Sequence, residues 1–159
     1  MNIDIICVGK IKEKYLTDAI AEYSKRLSRY CNLRILEVSD EKTIENASDL
    51  VCEKIKQAEA ERIIKYIKKD AMVVSLEIDG KMLTSVQLAE CIDKWGNDRF
   101  SDIQFIIGGS LGLHSMITDK ATFHLSFSKM TFPHQLMRVI LLEQIYRSYR
   151  IINNEPYHK

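Results

Sequence analysis

The chain is short of the features that mark a ligand site by themselves. Its four cysteines, Cys7, Cys31, Cys52 and Cys91, are scattered and form no CxxC pair, so they supply no metal-ligand spacing. They fit free thiols in a reducing cytosol, most of them as small core residues. His114, His124, His134 and His158 make no HxxxH pair, and no metal is expected. GxGxxG is absent because Ser110 stands where its second glycine belongs, and there is no GK[ST]. The two common phosphate-cradling loops are thereby excluded. No apolar run approaches the length of a membrane span. The opening MNIDIICVGK carries Asp4 early and lacks a basic lead, so it reads as a strand and not as a signal peptide. A net charge of +1 gives no global field that would draw in nucleic acid or an anionic membrane. Repeats, linkers and low-complexity segments are missing as well.

What remains is an ordinary globular composition, 46% apolar and 28% charged over 159 residues, enough to bury a core. Residues 3–9, IDIICVG, read as a buried strand that stops at Gly9. Tyr15, Leu16, Ala19, Ile20, Tyr23, Leu27 and Tyr30 recur at helical spacing. A strand over 33–38 and a charged amphipathic helix over 47–68 follow. Residues 71–78 are a third strand, closed by an Asp79-Gly80 turn. Thr84 or Ser85 caps the next helix, with Val86, Leu88, Ala89, Ile92 and Trp95 on its apolar side. A fourth strand over 102–109, a short helix over 115–121 and a fifth strand over 122–128 come next. Pro133 then opens a helix to about Tyr149, with Thr131 or Phe132 as its cap. This alternation predicts one α/β domain over residues 1–159, with a mainly parallel sheet flanked by helices.

Such sheets bind ligands beyond the carboxyl ends of their strands, which directs attention to the loops after strands three, four and five. The loop after strand four, IIGGSLGLHS, has glycines that let backbone approach a ligand. The same run matches GxSxG, with Ser110 as nucleophile and Asp119 followed by His124, His134 or His158. The chain is short for a serine hydrolase and has no HGGG loop, so that chemistry stands only as an alternative. The loop after strand five, SFSKMTFPHQ, sets hydroxyls, a lysine, Phe127, Met130 and Phe132 around a helix start. His124 is expected half-buried or in the core, and His114 in a solvated turn. The last helix is apolar over most of its circumference, which favours a homodimer.

Taken together, FIIGGSLGL and the run LSFSKMTFPHQLMRVILLEQIYRSYRIINNEPYHK resemble the RlmH family of SPOUT methyltransferases, from end to end of the chain. The resemblance implies a SPOUT fold with a C-terminal trefoil knot, S-adenosylmethionine as cofactor, and a cytoplasmic homodimer. It implies methylation of N3 of a pseudouridine in large-subunit ribosomal RNA of the assembled ribosome. It assigns the cofactor to Leu76, Gly108, Phe127, Ser128, Lys129, Met130, Thr131 and Phe132. The expected proton acceptor is His158, with His134 second and Tyr157 stacking on the base or hydrogen-bonding its carbonyls. Arg138, Arg147, Arg150 and Lys159 are expected on RNA phosphates. Pro156 directs the tail, which is short enough to serve a neighbouring subunit. A non-catalytic RNA- or ribosome-binding module is the remaining alternative.

Overall fold

The computed structural model describes residues 1–98 and 100–159. Strands β1 (Asn2–Val8), β2 (Asn32–Val38), β3 (Met72–Met82), β4 (Asp102–Ile107) and β5 (Phe123–Ser126) form one sheet in the order β2-β1-β4-β3-β5. Every strand pair is parallel. Helices α1 (Lys14–Leu27), α2 (Asp49–Ile64), α3 (Ser85–Asn97), α4 (Ser115–Thr118) and α5 (His134–Ile152) make the crossovers.

The period-two alternation of the strands sorts two cores. Ile3, Ile5 and Cys7 of β1 face one side, where Phe105, Leu27, Ile92, Trp95, Leu141 and Ile145 join them. Ile6 and Val8 face the other, with Val73, Ile106, Ala60, Ile63 and Ile117. Helices α1, α3 and α5 therefore cover one face, and α2 and α4 the other. Both faces of a parallel sheet are covered in this way, which explains the nearly unbroken apolar runs of β1 and β4.

Thr84 caps α3 in a reciprocal capping box with Gln87, while Ser85 is the first helical residue. Two boundaries differ from the sequence reading. Asp79-Gly80 does not end β3. Leu76 and Lys81 both stand opposite Leu125, so Glu77–Gly80 form a bulge within the strand. A side chain at Gly80 would meet the His124 and Leu125 backbone at 2.8–2.9 Å, so the turn signal marks close backbone approach. At α5, Pro133 is itself the cap position, and neither Thr131 nor Phe132 supplies a side-chain cap.

Among the described strand residues, one charged group is wholly buried. Asp4 is wholly buried and accepts two hydrogen bonds from Arg34, each 2.7 Å, and one of 3.0 Å from buried Gln104. Burial pushes its carboxyl up, but the bonds from Arg34 and Gln104 and the charge of Lys68 outweigh burial and hold it below its ordinary value. The stability this confers is complete above the unfolded carboxyl value of about 3.9 and is lost as pH falls through the lower folded one. Asp4→Asn is expected to cost about 1–3 kcal/mol at neutral pH, read from the urea midpoint. The loss of stability on acidification is expected to be smaller in that variant.

Candidate active site

A cavity of about 520 Å³ opens beyond the carboxyl ends of β3, β4 and β5. That volume lies in the range of small-molecule sites. Three loops build it, as the topology requires. Leu76 comes from β3 and Glu77 and Ile78 from the bulge that follows it, Gly108 to Ser110 and Gly112 from the loop after β4, and Phe127 to Pro133, without Lys129, from the loop after β5, with His134 at the start of α5. The walls are mainly apolar, with Ile107, Leu125 and Met137 closing the back.

The loop after β4 folds on itself. Gly112 adopts φ +83°, and its N–H donates to the Gly109 carbonyl at 3.1 Å. A side chain at Gly108 would stand 2.7 Å from the returning Gly112 backbone. Only glycine lets the strand turn this tightly while keeping its backbone at the cavity wall. The loop after β5 is held by its own hydroxyls. Ser126 donates to the Ile78 carbonyl at 2.8 Å, and Ser128 accepts from the Met130 N–H at 3.0 Å.

His134 stands on the wall at the first turn of α5. Burial pushes its imidazole down, the Arg138 charge adds to that, and Asp40 opposes both. The ring is therefore neutral at physiological pH. A depressed histidine contributes stability that is complete above its unfolded value near 6.5 and is lost as pH falls toward the folded one. His134→Gln is expected to flatten the fall in thermal midpoint on acidification from neutral pH, measured by scanning calorimetry.

The C-terminal tail is folded back against α5. Glu155 accepts from Arg150 at 2.7 Å and from the Tyr30 hydroxyl at 2.5 Å. Tyr157 sets its ring edge-on to Tyr146, centroids 5.0 Å apart, under the Arg147 guanidinium at 4.7 Å. Its hydroxyl donates to Glu143 at 3.2 Å, and His158 Nδ1 lies 3.3 Å from Arg147. Glu143 and Arg147 are nine and thirteen residues beyond His134 on α5. At 1.5 Å per residue, the tail lies roughly 14–20 Å along the helix from the cavity of its own chain.

Residues 1–158 match the family model described as predicted SPOUT methyltransferase. The chain belongs to the SPOUT methyltransferase family. Among curated relatives of this SPOUT methyltransferase, a Methanococcus maripaludis protein is 66% identical over the whole of both chains. Proteins named ribosomal RNA large subunit methyltransferase H, from Bifidobacterium adolescentis and Bifidobacterium animalis subsp. lactis, are 64% and 60% identical, again over 100% of each chain. A solved chain from Haemophilus influenzae Rd KW20, described as a probable methylase family protein, has TM-score 0.59 at 15% identity. It covers 99% of this chain with 70% of its own, and at that identity the likeness shows the fold.

In this SPOUT methyltransferase the cavity gathers seven of the eight residues assigned to the cofactor. The eighth, Lys129, is exposed and turns to Asp79 at 3.7 Å. Arg138 cannot hold an RNA phosphate where it stands. It is 1% exposed, pairs with Glu37 at 2.8 Å, and donates to the Val8 and Gly9 carbonyls at 2.7 Å each. Arg147 is tied to Glu143 and Arg150 to Glu155, while Lys159 is exposed. His124 is exposed on the edge strand instead of half-buried, and bonds Glu77 and Ser75. His114 caps α4 by accepting from the Met116 N–H and is not a solvated turn residue. Ser110 pairs with Thr43 at 3.0 Å, not with an imidazole, which removes the hydrolase arrangement. The residues missed from sequence are Glu77, Ile78, Leu125 and Met137. Glu77 had a signal: an acid at the end of an otherwise apolar strand, next to an assigned ligand residue.

Proposed function

We propose that this SPOUT methyltransferase methylates N3 of a pseudouridine in large-subunit ribosomal RNA, taking the methyl group from S-adenosylmethionine, in the cytoplasm and as a homodimer. The relatives that carry the large-subunit methyltransferase name support the substrate class. The observation that carries the reading is the cavity, whose apolar walls, glycine-backed loop and single carboxylate suit a cationic nucleoside-containing ligand. The family reading also brings the C-terminal knot with it.

Leu76, Phe127 and Phe132 would wall the adenine, Gly108 would bring backbone against it, and Ser128, Met130 and Thr131 would follow the rest. Bound there, S-adenosylmethionine supplies an electrophilic methyl group on a sulfonium sulfur. The target N3–H is a weakly acidic imide, and its nitrogen attacks once a base takes the proton. His158 is that base in this reading. Tyr157 stacks on the pseudouridine, and neutral His134 at the wall positions the ring and is the second acceptor. Arg147, Arg150 and Lys159 meet the flanking phosphates, the two arginines by exchanging Glu143 and Glu155 for RNA.

The separation of tail and cavity along α5 supports a site shared between two protomers, the tail of one serving the cavity of the other. Incubation of large-subunit ribosomal RNA, free and in assembled ribosomes, with the protein and labelled S-adenosylmethionine tests the whole reading. Mass mapping is expected to find one added methyl on one pseudouridine, in ribosomes only. Methyl on a different base would overturn the proposed target atom.

A further inference from the structure

We propose that Glu77 is the residue by which the cavity selects a cationic methyl donor over its neutral product. The inference rests on the S-adenosylmethionine reading above and extends it to a residue that the family resemblance does not assign.

Glu77 is the one carboxylate among the cavity-lining residues, and the other titratable side chain there, His134, is pushed toward its neutral form. Among the described lining residues Glu77 is therefore the one source of formal negative charge. The carboxylate is fixed from behind. Ser75 Oγ, wholly buried, donates to Oε2 at 2.5 Å, and His124 Nδ1 bonds the same oxygen. Ser75 and His124 are register partners across β3 and β5, so two strands hold one carboxylate. The bulge after Leu76 takes Glu77 out of the strand ladder. Its side chain is 27% exposed, while both holding contacts go to Oε2. Oε1 is the oxygen that remains for a ligand.

The charges of the two nucleosides differ by one. S-adenosylmethionine carries a sulfonium, an ammonium and a carboxylate, net +1. When the S–CH₃ bond breaks, its electron pair stays on sulfur, and S-adenosylhomocysteine is net neutral. Between unit charges about 10 Å apart at an effective dielectric near 20, one charge is worth about a factor of ten in affinity. A fixed carboxylate thus holds the donor and loosens its hold on the product. Asp79 and Lys129, on the neighbouring loops, pair with each other at 3.7 Å in solvent and offset one another. His124 sets the carboxylate's position, and is a positioning residue.

Titration calorimetry of the full-length protein with S-adenosylmethionine, S-adenosylhomocysteine and sinefungin reads this directly. Sinefungin replaces the sulfonium by an amine-bearing carbon and is also net +1. In Glu77→Gln, affinity for S-adenosylmethionine and sinefungin is expected to fall about tenfold, with S-adenosylhomocysteine changed less than twofold. Glu77→Asp, which keeps the charge, is expected to retain the wild-type ratio of the two nucleosides even if both bind more weakly. His124→Gln is expected to lower that ratio by a smaller factor. Equal losses for all three ligands in Glu77→Gln, or an unchanged ratio, would overturn the proposal. If Glu77→Gln does not fold, loss of the ratio in Glu77→Asp overturns it instead. Failure of all three ligands to bind the wild-type protein would defeat the cofactor reading itself and is a separate outcome.

Discussion

Replacing Gly108 by alanine is expected to weaken S-adenosylmethionine binding by about 10- to 100-fold, or 1.4–2.8 kcal/mol. The new methyl would stand 2.7 Å from the Gly112 backbone, a distance that no rotamer relieves. The strain is of the overpacking kind, about 1–3 kcal/mol, and it falls on one loop. That loop also supplies Ser110 and Gly112 to the wall. The return of the chain at Gly112 needs its positive φ, so the loop relieves the clash by moving as a unit. Calorimetry with the cofactor gives the loss, and circular dichroism of the variant separates it from unfolding. Native affinity in a folded Gly108→Ala protein would remove this loop from the binding site.

Removing residues 156–159 is expected to lower methyl transfer by about 10²–10⁴-fold, the usual contribution of a positioned acid or base. Cofactor affinity should change little, because Tyr157 and His158 do not line the cavity. His158→Ala alone is expected to lose most of the same factor. Tyr157→Phe keeps the ring over Tyr146 and loses only the bond to Glu143, so its effect should be smaller. A mixing experiment tests sharing between protomers. Truncated chains combined with Gly108→Ala chains are expected to recover activity, since one protomer then has an intact tail and the other an intact cavity. Activity unchanged in the truncated protein would sink the tail's catalytic role.

The three strand-end loops were legible because a parallel sheet leaves few places for a ligand. Strands alternating with helices identify the sheet, and the sheet points to the loops after β3, β4 and β5, where the family resemblance places Leu76, Gly108 and Phe127. Arg138 was misread as a surface cation, although the pattern held its place. It lies three, four and seven residues before Leu141, Leu142 and Ile145, on the buried stripe of α5. Charge argued for solvent, and the Glu37 carboxylate and two carbonyls supplied by distant strand ends argued successfully for burial. His124 was misplaced for the converse reason. Phe123 and Leu125 turn to the core, which sends His124 outward on an edge strand. The bulge at Glu77–Gly80 was hidden because Asp-Gly signals a turn regardless of whether the strand resumes. The fold-back of the tail was not legible at all, since it depends on Glu143, Tyr146 and Arg147 meeting Tyr157 in space.

The same buried Arg138 has a consequence for the way the chain comes into being. Its guanidinium joins carbonyls 129 and 130 residues away in sequence. During synthesis, β1 emerges first and waits for a partner that is made almost last. The Val8 and Gly9 carbonyls are left to water, and the part of the apolar face not covered by α1 and α3 stays open, until α5 arrives with Leu141, Leu142 and Ile145. Late closure through distant contacts is slow, because the entropy of closing so long a loop is lost before the contacts reward it. The newborn protein thus passes through an interval in which most of its chain exists and its interior is not yet sealed.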